Sequence, residues 1–402
     1  MNSDILLENY NYEIPQELIA QKPVLKRDAS RLFVVDKTSQ KFHHKKFSDI
    51  VDYFSAGDCI VINDTKVVPA RLFGKKSSGG KVELLFLDPF QTGGQYRVLM
   101  KPFIETGKKI YFEDGYECEV KSKTPSGETI VSFSKRASEP CHSGLDPESI
   151  LSLPSSKCKS NLDSRFHGND KIETIVSDIV PMLEKHGIMP LPPYIDRKNN
   201  LARELSEFDR QRYQTVYAKN DGAIAAPTAG LHFTPEILEA LKNKGVNIAK
   251  LTLHVGWGTF KPIISDNLSS HKMMSEKFFI DAQNAEIINK AILENKKVAA
   301  VGTTSTRALE SAAHCAGFVK DGKTLLKEYS GETEIFIYPG YEFKIINALI
   351  TNLHLPKSTP LMMASAFAGR ELILKAYEEA VKEKYRFFSY GDSMLVTAIN
   401  NE

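Results

Sequence analysis

This sequence has few cysteines, no long apolar run and a small net charge. The 402 residues include five cysteines, Cys59, Cys118, Cys141, Cys158 and Cys315, which are widely spaced and form no CxxC pair. Such a pattern argues against a disulfide framework or a structural zinc site and fits a reducing cytosol. No apolar run is long enough for a transmembrane helix, and the acidic start lacks the features of a signal peptide. We therefore expect a cytoplasmic protein without a membrane partner.

Several common ligand-binding signatures are also missing. The chain contains neither GxGxxG nor GxxxxGK[ST], so a conventional dinucleotide or P-loop site is not indicated. His232, His254, His271 and His354 lack the HxH or HExxH spacing of a metal centre, and no metal is predicted. The formal net charge is only +2. A dedicated nucleic-acid-binding domain would be more basic, so any RNA contact should be a local patch.

The order of apolar segments predicts two domains and an insertion. Residues 67–135 contain short β-rich segments separated by glycine turns, without a helix between them, which is typical of a small antiparallel barrel. Residues 136–174 are rich in Ser, Pro, Asn and Gly and show no period, so we expect a disordered polar insertion. Apolar strands and helices alternate in residues 1–66 and 175–402. We predict an α/β fold: a large, discontinuous mixed α/β domain interrupted by a small antiparallel β-barrel.

The stretch 221–260 has the features of a binding site. The predicted strand 251–255 ends at Gly256 and Gly258, where the backbone can approach a ligand closely. In open α/β sheets, ligands bind beyond the carboxyl ends of strands. His232 precedes a predicted helix capped by Thr234, and helix starts favour anions. His232 and His254 are thus candidates for acid–base chemistry or ligand contact; the alternative is two satisfied core histidines.

Two further stretches and one lysine each allow a functional and a purely structural interpretation. The junction 302–307 resembles an anion-holding loop, or is an ordinary capped helix. Lys357 either binds a phosphate or carboxylate of a ligand or is an ordinary solvated lysine. Residues 209–217 mix arginines with tyrosines, which suits RNA backbone contact and base stacking. The alternative is a solvated helix face whose tyrosines pack inward.

A series of short motifs runs along nearly the whole chain outside the insertion, at residues 63–72, 191–195, 209–217, 226–234, 254–260, 302–305, 349–359 and 385–392. Each motif is weak alone, but their order resembles the S-adenosylmethionine:tRNA ribosyltransferase-isomerase family of queuosine biosynthesis. Two positions depart from the family pattern: Trp257 stands where a small residue is usual, and Leu353 where Phe is usual. Trp257 is expected to narrow or cap the ligand site.

The resemblance implies a reaction and a fold. The ribosyl part of S-adenosylmethionine, the cosubstrate, moves to 7-aminomethyl-7-deazaguanine at the wobble position of tRNA, and rearrangement gives epoxyqueuosine with release of adenine and methionine. No metal is implied, and a monomer is expected. The family fold is a large α/β domain interrupted by a small β-barrel. A non-catalytic RNA-binding protein and a nucleoside-type transferase acting on free small molecules are the alternatives.

The chemistry of that reaction assigns expected roles to the candidate residues. His232 and His254 are expected to transfer protons. Asp64 and Asp392 are expected to bind the ammonium group of the methionine part or the amine of the modified base. Cosubstrate or phosphate binding is expected from Thr228, Gly230, Gly256, Gly258, Thr303, Thr304, Arg307 and Lys357. Contact with tRNA is expected from Arg71, Arg210, Arg212 and Tyr213.

Overall fold

The structure is a computed structural model that describes residues 3–91, 93–136, 173–197 and 205–399. Most of the predicted insertion, including Cys141 and Cys158, lies outside the described residues. The strands, in chain order, are β1 (Arg31–Asp36), β2 (Phe42–Lys46), β3 (Cys59–Asn63), β4 (Thr65–Val67), β5 (Arg71–Lys76), β6 (Lys81–Phe86), β7 (Gln95–Lys101), β8 (Lys109–Tyr111), β9 (Tyr116–Lys123), β10 (Thr129–Arg136), β11 (Glu173–Ile175), β12 (Asn220–Ala223), β13 (Asn247–Leu253), β14 (Glu276–Ile280), β15 (Val298–Val301), β16 (Phe318–Lys320), β17 (Lys323–Leu325), β18 (Tyr329–Thr333), β19 (Ala348–Asn352) and β20 (Ser393–Thr397).

The described α-helices are α1 (Val180–His186), α2 (Ser206–Arg212), α3 (Pro235–Asn243), α4 (Ala282–Leu293), α5 (Gly302–Ala316), α6 (Thr359–Ala368) and α7 (Arg370–Lys382). Short 3-10 helices, among them Thr228–His232 and Trp257–Phe260, connect several elements. Within the described residues, no helix has the length and apolar character needed to cross a membrane.

Residue contacts divide the chain into a larger unit, Met1–Arg71 with Gly187–Glu402, and a smaller unit, Leu72–His186. The sequence placed these limits at 66/67 and 174/175. β11 and α1 therefore belong to the smaller unit in the structure.

The smaller unit is a closed antiparallel barrel. Its strands follow the order β5-β6-β7-β10-β9-β8, and β8 pairs with β5 to close the ring. β11 pairs with the last three residues of β10, beyond the part that pairs with β7. Alternate residues of β7, such as Tyr96 and Val98, are buried while their neighbours are exposed, as a half-buried strand requires. Phe86, Tyr96 and Phe133 pack together inside.

The larger unit is built on a nine-stranded mixed sheet in the order β18-β14-β13-β3-β15-β19-β20-β1-β2. Four neighbouring strands, β13, β3, β15 and β19, run parallel. Both faces are covered: Leu32 and Val34 of β1 join one apolar cluster, while Phe33 and Val35 join the other. Burial on both faces explains the uninterrupted apolar run of β3. The predicted fold class is confirmed.

Because these four strands are parallel, their carboxyl ends meet at one edge of the sheet. Asn63 ends β3, Leu253 ends β13, Val301 ends β15 and Asn352 ends β19. α5 begins directly after β15 at Gly302, whose φ of +89° allows the abrupt change from strand to helix. α3 begins as predicted, with the Thr234 hydroxyl oxygen accepting from the Ile237 N–H at 3.3 Å.

Candidate active site

A cavity of about 400 Å³ lies at this edge of the larger unit. Its wall includes the end of β19, the residues after β13, the first turn of α5 and the segment leading into α6. The lining side chains that carry polar groups are Tyr194, Thr228, Thr259, Lys261, Thr303, Thr304, Thr351, Asn352, His354, Lys357, Ser358 and Ser389. The predicted cosubstrate residues Thr228, Thr303, Thr304 and Lys357 are therefore brought together here.

The cavity wall contains groups that favour negatively charged ligands. Thr303 and Thr304 belong to the first turn of α5, and Ser358 immediately precedes α6. The unpaired N–H groups and the dipole at a helix start attract anions. Lys261 and Lys357 add two cations, and no acidic side chain lines the cavity within the described part of the chain. Lys357 Nζ lies 2.5 Å from the carboxylate of Glu8, which is largely exposed and therefore a weakly held partner.

Two aromatic residues, Tyr194 and Phe388, are part of the cavity wall. The rings of Tyr194 and Phe388 lie 4.9 Å apart at an interplanar angle of 54°. The Tyr194 hydroxyl is 2.6 Å from Ser389 Oγ. Burial raises the pKa of Tyr194 to about 12, so its phenol stays neutral at pH 7. These rings offer the flat apolar faces on which a nucleobase stacks.

His354 also lines the cavity, and the sequence considered it only as an improbable metal ligand. Its Nε2 lies 2.7 Å from Thr351 Oγ1, and its backbone N–H donates to the Tyr377 hydroxyl at 2.9 Å. Desolvation lowers the pKa of His354 to about 3, so the imidazole is neutral at pH 7. The same reasoning that selected Lys357, polar residues just beyond a strand end, would have selected His354.

His232 lies behind the cavity wall and does not line it. Ser30 Oγ donates to the Arg27 carbonyl, so the His232 Nδ1–H donates to Ser30 at 2.8 Å, and Nε2 accepts from Asn352 Nδ2 at 3.1 Å. Asn352 Oδ1 in turn accepts from Thr228 Oγ1 at 2.8 Å. Desolvation first, and then the nearby Arg386 and Arg27 charges, lower the pKa of His232 to about 3. A neutral His232 thus orients two side chains that do line the cavity.

Neither His254 nor Asp64 lines the cavity of about 400 Å³. His254 borders a second hollow of about 370 Å³, together with Thr252 and Lys277. Its Nδ1 is 2.9 Å from Thr65 Oγ1. Asp64 Oδ1 accepts from Thr252 Oγ1 at 2.7 Å and from Asn220 Nδ2 at 3.0 Å. The structure does not bring His232 and His254 to one cavity.

Arg307 is held in a buried ion pair with Glu276. Its other guanidinium nitrogens donate to the carbonyls of Ile335 at 3.1 Å and Thr333 at 3.3 Å. Glu276 also accepts from the Gly256 N–H at 2.8 Å. Neither Arg307 nor Gly256 lines the cavity of about 400 Å³. Arg307 borders a smaller hollow that shares Thr303 and Thr304 with it.

The remaining glycines and Trp257 also stand outside the lining of the cavity. A Cβ on Gly230 would lie 2.1 Å from the Tyr217 hydroxyl, and a Cβ on Gly258 would lie 2.9 Å from Met274 Cβ. Both glycines are therefore required by close packing. Thr259, two residues after Trp257, does line the cavity.

Asp392 is buried and accepts two backbone N–H groups. Oδ1 accepts from Arg31 at 2.9 Å and Oδ2 from Arg386 at 2.8 Å. This carboxylate closes the turn that carries Phe388 and Ser389 to the cavity.

The four residues predicted to contact tRNA bind protein groups in the structure. Tyr213 is fully buried and packs against Tyr390, so it cannot stack on a base. The guanidinium groups donate to backbone carbonyls: Arg71 to Leu191 at 3.1 Å, Arg210 to Gly187 at 2.8 Å, and Arg212 to Val24 at 2.6 Å and Leu25 at 2.7 Å. Among the described residues, no group of three or more His, Cys, Asp or Glu side chains is arranged to hold a metal ion.

Comparison with known proteins identifies the family. The family described as "Queuosine biosynthesis protein" matches residues 7–396. The S-adenosylmethionine:tRNA ribosyltransferase-isomerase of Acetivibrio thermocellus is 43% identical over 97% of this chain and 99% of its own length. The protein of the same name from Clostridioides difficile is 42% identical over 96% of this chain and 98% of its own.

Among solved structures, the S-adenosylmethionine tRNA ribosyltransferase of Thermotoga maritima is 29% identical with a TM-score of 0.48, covering 96% of this chain and 99% of that one. The family match and the curated relatives confirm the resemblance seen in the sequence. The chain belongs to the queuosine biosynthesis protein family, the family of the S-adenosylmethionine:tRNA ribosyltransferase-isomerases.

Proposed function

We propose that this enzyme transfers the ribosyl part of S-adenosylmethionine to 7-aminomethyl-7-deazaguanine at the wobble position of tRNA and isomerises it. The products are epoxyqueuosine in tRNA, adenine and methionine. The observation that carries the proposal is the cavity of about 400 Å³ at the carboxyl ends of the parallel strands. Its volume is in the range of cavities that enclose a small molecule of this size.

The cavity offers a complementary group for each part of S-adenosylmethionine. The methionine carboxylate pairs with the helix starts at Thr303 and Ser358 and with Lys357. Hydroxyl and backbone oxygens, including Thr228, accept from the ammonium. Adenine stacks on the rings of Tyr194 and Phe388.

His354 is the group we place at the proton-transfer step. The sulfonium acidifies the protons of the ribosyl carbon bonded to sulfur, and a positioned base removes one of them to form an ylide. His354 accepts this proton on the ring nitrogen that does not contact Thr351. The same proton is then available for the departing adenine, so the two transfers balance. His232 orients Asn352 and Thr228 at the wall.

The deciding experiment uses S-adenosylmethionine labelled in adenine, with and without tRNA that carries the precursor base. We expect adenine release only with the precursor tRNA and no loss of activity on chelation. Release without tRNA would support a nucleoside-type transferase of free small molecules. tRNA binding without release would support a non-catalytic RNA-binding protein, and loss on chelation with recovery on zinc addition would contradict metal-free chemistry.

The same proposal places the enzyme in the cytoplasm as a monomer. Cys59, Cys118 and Cys315 are free thiols, as a reducing compartment favours. Light scattering of the purified protein at working concentration checks the monomer.

A further inference from the structure

The segment 21–27 presents a leucine to water on a backbone that is held in place. Leu25 is 91% exposed, and Lys22 and Lys26 on either side are also exposed. Three arginines fix the backbone by donating to its carbonyl groups: Arg197 to Gln21 at 3.1 Å, Arg386 to Lys22 at 3.2 Å, and Arg212 to Val24 at 2.6 Å and Leu25 at 2.7 Å. An exposed apolar side chain is common by itself. Here charge-assisted hydrogen bonds from three arginines hold the backbone that carries it.

The start of this segment is hydrogen-bonded to the two stretches of chain that carry the aromatic lining residues. Gln21 Nε2 donates to the Tyr194 carbonyl at 2.8 Å, and the Asp196 N–H donates back to Gln21 Oε1 at 2.8 Å. The Ala20 N–H donates to the Phe387 carbonyl at 3.3 Å. Tyr194 and Phe388, the residue after Phe387, both line the cavity. Gln21, at the start of the segment, is therefore hydrogen-bonded to the backbone of a residue of the cavity wall.

The charge around Leu25 fits a polyanion. Lys22 and Lys26 have no ion-pair partner among the residues that the structure describes, so both ammonium groups are available to phosphates. Two such cations beside one exposed aliphatic side chain match a nucleic-acid loop, in which phosphates flank stacked bases.

We propose that Leu25 is a wedge that enters the anticodon loop of tRNA when the wobble base enters the cavity, while Lys22 and Lys26 contact the neighbouring phosphates. A base leaves the stack before it reaches an enclosed site, which costs free energy. An aliphatic side chain inserted at the vacated step replaces part of the lost stacking. This inference rests on the proposed function, and it makes Leu25 a positioning residue.

Leu25→Ala tests the wedge in the full-length protein with an anticodon stem-loop that carries the precursor base. We expect kcat/KM for the stem-loop to fall by about tenfold to a hundredfold, because unstacking is no longer compensated. Binding of S-adenosylmethionine alone should be unchanged. Leu25→Met, which keeps an aliphatic side chain, should retain most of the activity. The matched control is Val319→Ala. Val319 is an aliphatic residue of β16 that is 74% exposed, and no residue of β16 lines the cavity.

Two readouts separate a wedge from a general structural effect. The fluorescence of 2-aminopurine placed next to the wobble base should increase when the stem-loop binds the wild type. It should not increase when the stem-loop binds Leu25→Ala. A stem-loop with an abasic neighbour, in which stacking is already lost, should restore Leu25→Ala to nearly the wild-type rate. Lys22→Ala with Lys26→Ala removes two phosphate contacts and should reduce the slope of log KM against log salt by about 1.4.

Failure of the wedge is distinguishable from failure of the proposed function. If the wild type releases no adenine from S-adenosylmethionine in the presence of the same stem-loop, the proposed function is wrong, and so is the proposed role of Leu25. If the wild type is active and Leu25→Ala matches it, the wedge alone is wrong. An equal loss on the normal and abasic stem-loops, or a wild-type dimer that Leu25→Ala converts to a monomer, also overturns it.

Discussion

His354 and His232 are both held neutral by burial, but they differ in what they touch. His354 lines the cavity, and one of its nitrogens contacts a hydroxyl group. His232 stands behind Asn352 with both nitrogens engaged. Proton transfer to a ligand needs a nitrogen within reach of that ligand. At the scale of single residues, the position of the imidazole therefore decides between a chemical and an orienting role.

His354→Gln should lower kcat by about 10²- to 10⁴-fold, the range expected when a general base is lost. Thr351→Val, which removes only the hydroxyl beside His354, should cost less. Because the pKa of His354 is about 3, its titration should produce no inflection in the activity between pH 5 and 8. A His354→Gln variant with wild-type kcat would remove His354 from the mechanism.

His232 should contribute a pH dependence to stability. Its pKa is about 3 in the folded protein and 6.5 when exposed, so protonation favours the unfolded chain. The stability that neutral His232 contributes is present above pH 6.5 and is lost as pH falls from 6.5 towards 3. The loss is about 1.4 kcal/mol per pH unit within that window. Urea unfolding of wild type and His232→Gln at pH 6, 5 and 4 should give a flatter curve for the variant. Parallel curves would show that His232 titrates normally.

At the scale of elements, one buried ion pair joins three parts of the larger unit. Arg307 of α5 pairs with Glu276 of β14, and Glu276 accepts from Gly256 after β13. Glu276→Ala should lower the free energy of unfolding by about 3–5 kcal/mol, because a buried guanidinium loses its partner. Glu332→Ala, on the neighbouring strand and exposed, is the matched control. Arg307→Met added to Glu276→Ala should recover part of the loss; no recovery would mean that the charge was not the cause.

The ends of the polar insertion are joined by strand pairing. Arg136, the last residue of β10, is opposite Glu173, the first residue of β11, and the next two pairs follow in register. A tight turn is able to connect two antiparallel residues placed opposite each other.

Replacement of residues 138–169 by a short Gly/Ser linker should therefore leave the thermal midpoint and the tRNA-dependent activity nearly unchanged. Closure entropy grows only slowly with the length of a connection, so shortening the connection between β10 and β11 should change stability little. Differential scanning calorimetry and the adenine-release assay measure the two quantities. An insoluble product or lost tRNA affinity would show that the insertion serves the core or the RNA contact.

The sequence predicted local features well and long-range ones poorly. Burial on both faces of β3, the Thr234 cap and the start of a helix after β15 were predictable because each depends on neighbouring residues. Contact between His232 and Asn352, which lie 120 positions apart, depends on which strands become neighbours. Periodicity does not specify strand order. For the same reason, the sequence grouped His254 with His232 and left open whether Tyr213 contacts RNA or packs inward.

At the scale of the whole molecule, the chain leaves and re-enters the larger unit at adjacent backbone positions. The Arg71 N–H donates to the Ile188 carbonyl at 3.3 Å, and the Ile188 N–H donates to the Arg71 carbonyl at 2.9 Å. All residues that line the cavity of about 400 Å³ belong to the larger unit. A short connection between Arg71 and Gly187 should thus bypass the smaller unit without changing the wall of the cavity.

Replacement of residues 72–186 by about four Gly/Ser residues, enough to connect two paired antiparallel positions, should give a protein that still binds S-adenosylmethionine. Its dissociation constant by calorimetry should match that of the intact enzyme, since every lining side chain is retained. The same calorimetry with Lys357→Ala, in both the intact and the shortened protein, provides the control: each should lose affinity by the same factor. A shortened protein that unfolds cooperatively but binds no S-adenosylmethionine would mean that residues of the smaller unit complete the site.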